Sequence, residues 1–224
     1  MLRKDVLITG NHYHIFNRGV NKNNIFFSEK DYKRFIATAI HYKNFLHKFT
    51  ASSVSDSVSD PVSEKLSEKS EKLGRMEKPK IQILAYSLMP NHFHFLVKQL
   101  EDGGITWFMQ RLANSYVHYL NIKYKRVGPL FQGRFKNILV DSDNQFLHLS
   151  RYIHLNPLVS NLTTDLKKYA WSSYPSYISN YNDNLSESEF ILKNFKSKRD
   201  YERFVLDQAD HAKSLEDMKH HILD

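Results

Sequence analysis

An α+β fold, a four-stranded antiparallel sheet with helices packed on one face, follows from three observations on this 224-residue chain. Four short, β-prone stretches read as strands, and in longer ones apolar residues recur at helical spacing. These stretches come in the order strand, helix, strand, strand, helix, strand, with one more helix behind them. Hydrophobic residues make up 41% of the chain, enough for a proper core, and the length suits one main domain with additions.

Residues 12–17 read as the first strand. Residues 28–49 read as a helix, with Ser28 as N-cap and Glu29 and Asp31 in the first turn, where acidic groups suit the helix dipole. Residues 81–87 and 93–99 form the next two strands, joined through a Pro90-Asn91 turn. A long helix is expected over 105–125 because Ile105, Phe108, Met109, Leu112, Tyr116, Tyr119 and Leu120 recur on one side, and Gly128-Pro129 ends it. Residues 135–140 make the fourth strand. The Ser142-x-x-Gln145 pair is a capping box opening a last helix, which Pro157 should stop. This is the split β-α-β, ferredoxin-like βαββαβ order, plus a further helix.

Residues 50–79 interrupt the pattern. They lack aromatic residues and stutter through Ser-Val-Ser-Asp and Ser-Glu-Lys repeats, so they cannot bury enough apolar area to offset their ordering entropy and read as a flexible insertion. Residues 178–224 read as a charged helical extension, leaving 1–177 as the main domain.

A formal charge of +8 and a pI near 9.4 favour a polyanionic partner, nucleic acid foremost. The absence of cysteine removes disulfides, thiolate metal sites and cysteine nucleophiles together. No signal-like stretch opens the chain and no apolar run is long enough for a membrane span, so a cytoplasmic protein without membrane contact is expected.

The residues with the clearest chemistry are His92 and His94. Alternate residues of a strand share a face, so the two imidazoles of this His-x-His pair can hold one metal ion. A divalent ion wants further ligands. On the last helix His148, Tyr152 and Asn156 stand at i, i+4 and i+8, one stripe in which Asn156 offers an amide oxygen beside the Tyr152 hydroxyl. A tyrosine near a metal and basic groups suits attack on a phosphodiester, giving a phosphotyrosine link that preserves the bond energy for rejoining. Residues 123–136 supply Lys123, Lys125, Arg126, Arg134 and Lys136 with no acidic residue, interleaved with Tyr124, Phe131 and Phe135, a composition suited to phosphates and unpaired bases. Phe135 is expected in the core, and Arg18 is a further phosphate candidate.

In these motifs the sequence resembles the single-tyrosine HUH transposases, and within them the REP-associated tyrosine transposase-like group. The matching segments are 13–19, 89–97, 109–112, 130–136, 151–157 and 171–174, in order and interrupted only by the Ser-rich insertion. The resemblance implies a nuclease and strand transferase on single-stranded DNA, often at hairpins, with Mg²⁺ or Mn²⁺ as cofactor. It implies His92 and His94 as metal ligands, Tyr152 as nucleophile through a 5′-phosphotyrosine, and Asn156, four residues later, as third ligand. Relatives include dimers and monomers, so a homodimer and a monomer both stay open.

Plainer readings stand beside these. Asn156 also suits a C-cap before Pro157. The second pair, His12 and His14, is expected to be structural or to support the site. His154 should pack or face solvent, and Trp171 and Tyr174 should pin the returning chain to the sheet. The rival functions are a non-catalytic single-stranded nucleic-acid-binding module and a small metallohydrolase using a metal-bound water.

Overall fold

The computed structural model describes residues 6–44, 49 and 78–209, so most of the predicted insertion and residues 210–224 lie outside the described residues. Strands β1 (His12–Arg18), β2 (Ile81–Met89), β3 (His92–Gln99) and β4 (Lys136–Val140) form one antiparallel sheet in the spatial order β2-β3-β1-β4. Helices α1 (Glu29–Asn44) and α2 (Gly104–Lys123) follow β1 and β3, and helix α3 (Asp143–Val159) follows β4. The predicted order is the observed one.

Strand alternation decides what each face of the sheet carries. Tyr13 and Ile15 of β1 and Phe93, Phe95 and Val97 of β3 point to α1 and α2, where they are buried with Phe35, Phe108, Leu112 and Tyr116. Phe35 meets Tyr116 edge to face, with ring centroids 4.9 Å apart. The start of α1 is closed by Asp31, whose carboxylate accepts from the Phe27 and Ser28 N–H groups at 3.0 and 2.9 Å. The Ser28 hydroxyl, the predicted cap, instead accepts from Lys123 at 3.1 Å.

The other face carries His12, His14, Phe16 and Arg18 of β1 and His92, His94, Leu96 and Lys98 of β3. Helix α3 lies over part of it, together with α4 (Tyr174–Ile178), α5 (Glu189–Leu192) and α6 (Lys198–Leu206). Leu84, Leu96, Ile153, Tyr177, Ile191, Tyr201 and Val205 form a second core there. The molecule is thus three-layered, and the C-terminal extension, as far as it is described, packs into the same core as α3.

Two anchors hold α3 in place. His154, fully buried, bonds Tyr201 Oη through Nδ1 at 2.7 Å and Ser173 Oγ through Nε2 at 2.8 Å. Ser173 in turn receives the Tyr86 N–H, and Leu88 N–H donates to the Trp171 carbonyl, which ties the returning chain to the edge of β2 as expected. Trp171 also stacks on Tyr32, 4.6 Å away. Pro157 does not stop α3, which continues to Val159. Standing two residues from the helix end, it forfeits only its own bond to the Ile153 carbonyl, and the turn beyond closes through Ser160 N–H to Asn156 O.

Among the described residues, no helix is long and apolar enough to cross a membrane.

Candidate active site

Strand register aligns the polar side chains of the second face in rows across the sheet. Arg18 of β1 pairs with His92 of β3; Lys136 of β4, Phe16, His94 and Ser87 of β2 form the next row; Ile138, His14 and Leu96 the one after. In an antiparallel pair, residues opposite one another point the same way. Three imidazoles, those of His14, His92 and His94, therefore meet on one patch. His14 and His94 lie with centroids 5.0 Å apart, as do His92 and His94.

Each member of the His92/His94 pair has a partner at Nδ1. Asn91 Nδ2 donates to the Lys22 carbonyl at 3.1 Å, which turns its Oδ1 toward His92 Nδ1, 2.5 Å away. His92 Nδ1 must then carry the proton, and its Nε2 keeps a lone pair. His94 Nδ1 lies 2.8 Å from His14 Nε2. A neutral His94 donating there likewise keeps its Nε2 lone pair. Burial, and Arg18 beside it, push His92 down to about 4; burial, then His14 and His92, push His94 well below its ordinary value; burial pushes His14 down to about 4. All three rings are neutral at pH 7, the form that ligates metals.

Helix α3 brings Tyr152 over this patch in the same chain, with its ring 5.6 Å from His94 and 6.1 Å from His14. The side chain is 51% exposed, open to a substrate. One turn on, Asn156 Nδ2 donates to the Tyr152 carbonyl at 3.2 Å, leaving Oδ1 free to serve a cation. No three His, Cys, Asp or Glu side chains converge to hold a metal among the described residues. What the patch offers a cation is the His92 and His94 imidazole nitrogens, with the Asn156 amide on α3 as the candidate third donor. His148, on the predicted stripe, is engaged by Arg151 Nη2 and packs near Phe204 instead of joining Tyr152.

The basic candidates divide. Arg18 is exposed at the His92 end and is braced by Gln132, whose Oε1 accepts from its Nε at 2.8 Å. The turn behind it requires Gly19, where a Cβ would stand 2.0 Å from the Asn23 carbonyl. Lys136 is exposed and by register stands in the His94 row, and Arg134 is exposed just before it, in a segment held to the end of β1 by Asn17 Nδ2, which bonds Gly133 O at 3.1 Å. Lys125 is exposed and Arg126 half-buried in the loop after α2. Lys123 is otherwise engaged: its Nζ lies 2.6 Å from the buried Asp31 carboxylate, so its charge is used in holding α2 to α1. Tyr124 is tied to the same Asp31, and the rings of Phe131 and Phe135 are buried in the first core, so only Phe135 sits where its sequence context put it. Two supporting residues were not assigned to the site from the sequence: Phe16, whose ring lies 4.7 Å from His14 and 5.9 Å from His94, and Asn91, read there only as part of the turn, whose one signal is its place next to His92.

A family model described as "Transposase IS200 like" matches residues 7–156, more than half of the chain and every residue of the histidine, tyrosine and asparagine site. No curated protein matches the chain by sequence. A solved structure of a REP-associated tyrosine transposase bound to a REP hairpin is similar over 84% of this chain and 92% of that one, with a TM-score of 0.54 at 12% identity.

Proposed function

The chain belongs to the IS200-like transposase family, and from that membership we propose that it is a metal-dependent single-strand DNA endonuclease and strand transferase acting at hairpin or repeat DNA. The observation that carries this reading is the placement of the exposed Tyr152 ring over the histidine patch, its centroid 5.6 Å from that of His94. In the first step Tyr152 Oη bonds to phosphorus, the bond from phosphorus to the 3′-oxygen breaks, and the phenolic proton departs while the 3′-oxygen takes one up. The products are a 5′-phosphotyrosine and a free 3′-hydroxyl, which can later run the step backwards.

His92, His94 and Asn156 would hold Mg²⁺ or Mn²⁺, which when bound supplies Lewis-acid polarisation of the scissile phosphate. Asn91 and His14 orient the two imidazoles. Arg18, with Arg134 and Lys136 on the same side, holds flanking phosphates; Lys125 and Arg126 extend that basic side beyond α2, and Lys123 contributes only to the local field. The geometry supports attack by Tyr152 in its own chain, because α3 is anchored to its own sheet through His154 and Ser173.

The test is incubation of the full chain with a labelled pool of structured single-stranded DNAs, with and without Mn²⁺, followed by denaturing electrophoresis. A metal-dependent covalent protein–DNA adduct is expected from the native chain and none from Tyr152→Phe. Equal adduct from that variant defeats the nucleophile assignment, and DNA affinity indifferent to chelator with no adduct would favour a binding module.

A further inference from the structure

Beyond the catalytic patch, on the same face of the sheet, a cleft of about 540 Å³ opens between β1, the edge strand β4, the first turn of α3 and the C-terminal extension. That size is typical of sites for small organic groups. Its wall is aromatic: His12 meets Phe146 at 4.9 Å and Phe190 at 5.6 Å, and the two phenyl rings are 5.9 Å apart. Its polar lining has both signs, with Asp141 and Asp143 on the core side and Lys193 on the extension, its Nζ 4.2 Å above the Phe190 ring. His12 Nε2 lies buried behind this wall with no hydrogen-bond partner among the described residues.

We propose that this cleft receives one unpaired base of the DNA strand whose phosphate Tyr152 attacks, which makes the C-terminal extension part of target selection. The inference rests on the DNA reading above and adds a site to it. Two carboxylates face two ammonium groups, Lys193 and Lys98, the latter with its Nζ 5.2 Å from the Phe190 ring, so the cleft lacks the net positive charge a phosphate needs, whereas the edge of a base presents donors and acceptors together and can meet Lys193 and an aspartate at once. The flat faces of a base also match an aromatic wall. The place is right for the same strand. His12 is two residues along β1 from His14, about 7 Å, and Phe146 is six residues along α3 from Tyr152, about 9 Å. Those distances correspond to roughly two to three stacked nucleotides at about 3.4 Å each.

The test uses the full chain and the hairpin it enriches most from a structured single-stranded pool, with an abasic residue placed at each flanking position in turn. One position about two to three nucleotides from the cleavage point should, when abasic, weaken binding by roughly 5- to 100-fold. Phe190→Ala should cause a similar loss on the intact hairpin and almost no further loss on that abasic one. Lys193→Ser, a change at the surface, should show the same non-additivity more weakly, which guards against a misfolded Phe190→Ala protein. Losses that multiply for both variants at every position overturn the base site alone. A native chain that binds no hairpin overturns the DNA reading, and the base site falls with it.

Discussion

The two faces of the sheet are made by the same four strands and behave as opposites. Toward α1 and α2 the alternate residues are Tyr13, Ile15, Phe93, Phe95 and Val97, buried in an aromatic core. Toward α3 the residues between them are His12, His14, Phe16 and His92, half-buried, and His94, buried beside the exposed Tyr152. One face stabilises; the other, by keeping polar groups in place without filling the space, leaves room for a substrate. The lesson is that changes one residue apart on β3 should separate folding from chemistry.

The largest expected effect is on the open face: Tyr152→Phe abolishes the covalent adduct, a loss of at least about a thousand-fold, while the unfolding free energy moves by less than about 0.5 kcal/mol, as for other exposed substitutions. On the closed face Phe95→Ala should cost about 3–5 kcal/mol, read as a lowered urea midpoint. A loss under about 1 kcal/mol there would break the contrast.

Acid should act through the open side. Burial pushes His154 down to about 3, whereas in the unfolded chain it titrates near about 6.5. The unfolded state therefore binds the proton first as pH falls, so this contribution is complete above about 6.5 and drains away toward pH 3, a matter of a few kcal/mol. His12, His14, His92 and His94 shift in the same direction. Thermal melting across pH 7 to 4.5 should show a flatter slope for His154→Gln than for the native chain, even from a lower starting point; parallel slopes would remove His154 as the cause.

A smaller effect sharpens the comparison within the open face. His14→Leu should weaken Mn²⁺ binding, followed by the metal's spin-resonance signal, by about 10- to 100-fold. His14→Gln should recover part of it, since an amide oxygen can accept from His94 Nδ1, and equal affinities in all three proteins would make His14 mere packing. Smallest of all, Arg18→Ala should lower the salt dependence of DNA binding by about one unit of slope, whereas Lys123→Ala should leave that slope alone and loosen the fold, because its partner Asp31 is buried.

The closed face was the more legible in the sequence. Apolar periodicity is a property of single stretches, and it placed all four strands and both of the helices on that face within a few residues. On the open face the His92/His94 pair and the Tyr152/Asn156 stripe were visible because each lies within one element. What joins elements was not visible. The contact of His14 with His94 spans eighty positions, and the ion pair of Lys123 with the buried Asp31 spans ninety-two. The basic run of 123–136 looked uniform, yet Phe131 and Phe135 turn inward to the core, and Lys123 and Tyr124 are tied to the buried Asp31. Pattern also left α3 without a side, and the extension gave no hint that its Tyr201 would hold His154.

The turn between β2 and β3 has a consequence for how the molecule comes into being. Both histidines of the pair stand immediately after it, and Asn91, which orients the first of them, is part of it. A short hairpin of this kind closes in microseconds and needs nothing distant. Tyr152, the proposed nucleophile, arrives on a helix some sixty positions later, and that helix is anchored through His154 by Ser173 and, later still, Tyr201. On the proposed function, the histidine pair can therefore form in a nascent or truncated chain before the residues that would complete a cutting site are in place, and a chain ending before Tyr201 should give less covalent adduct than the full one.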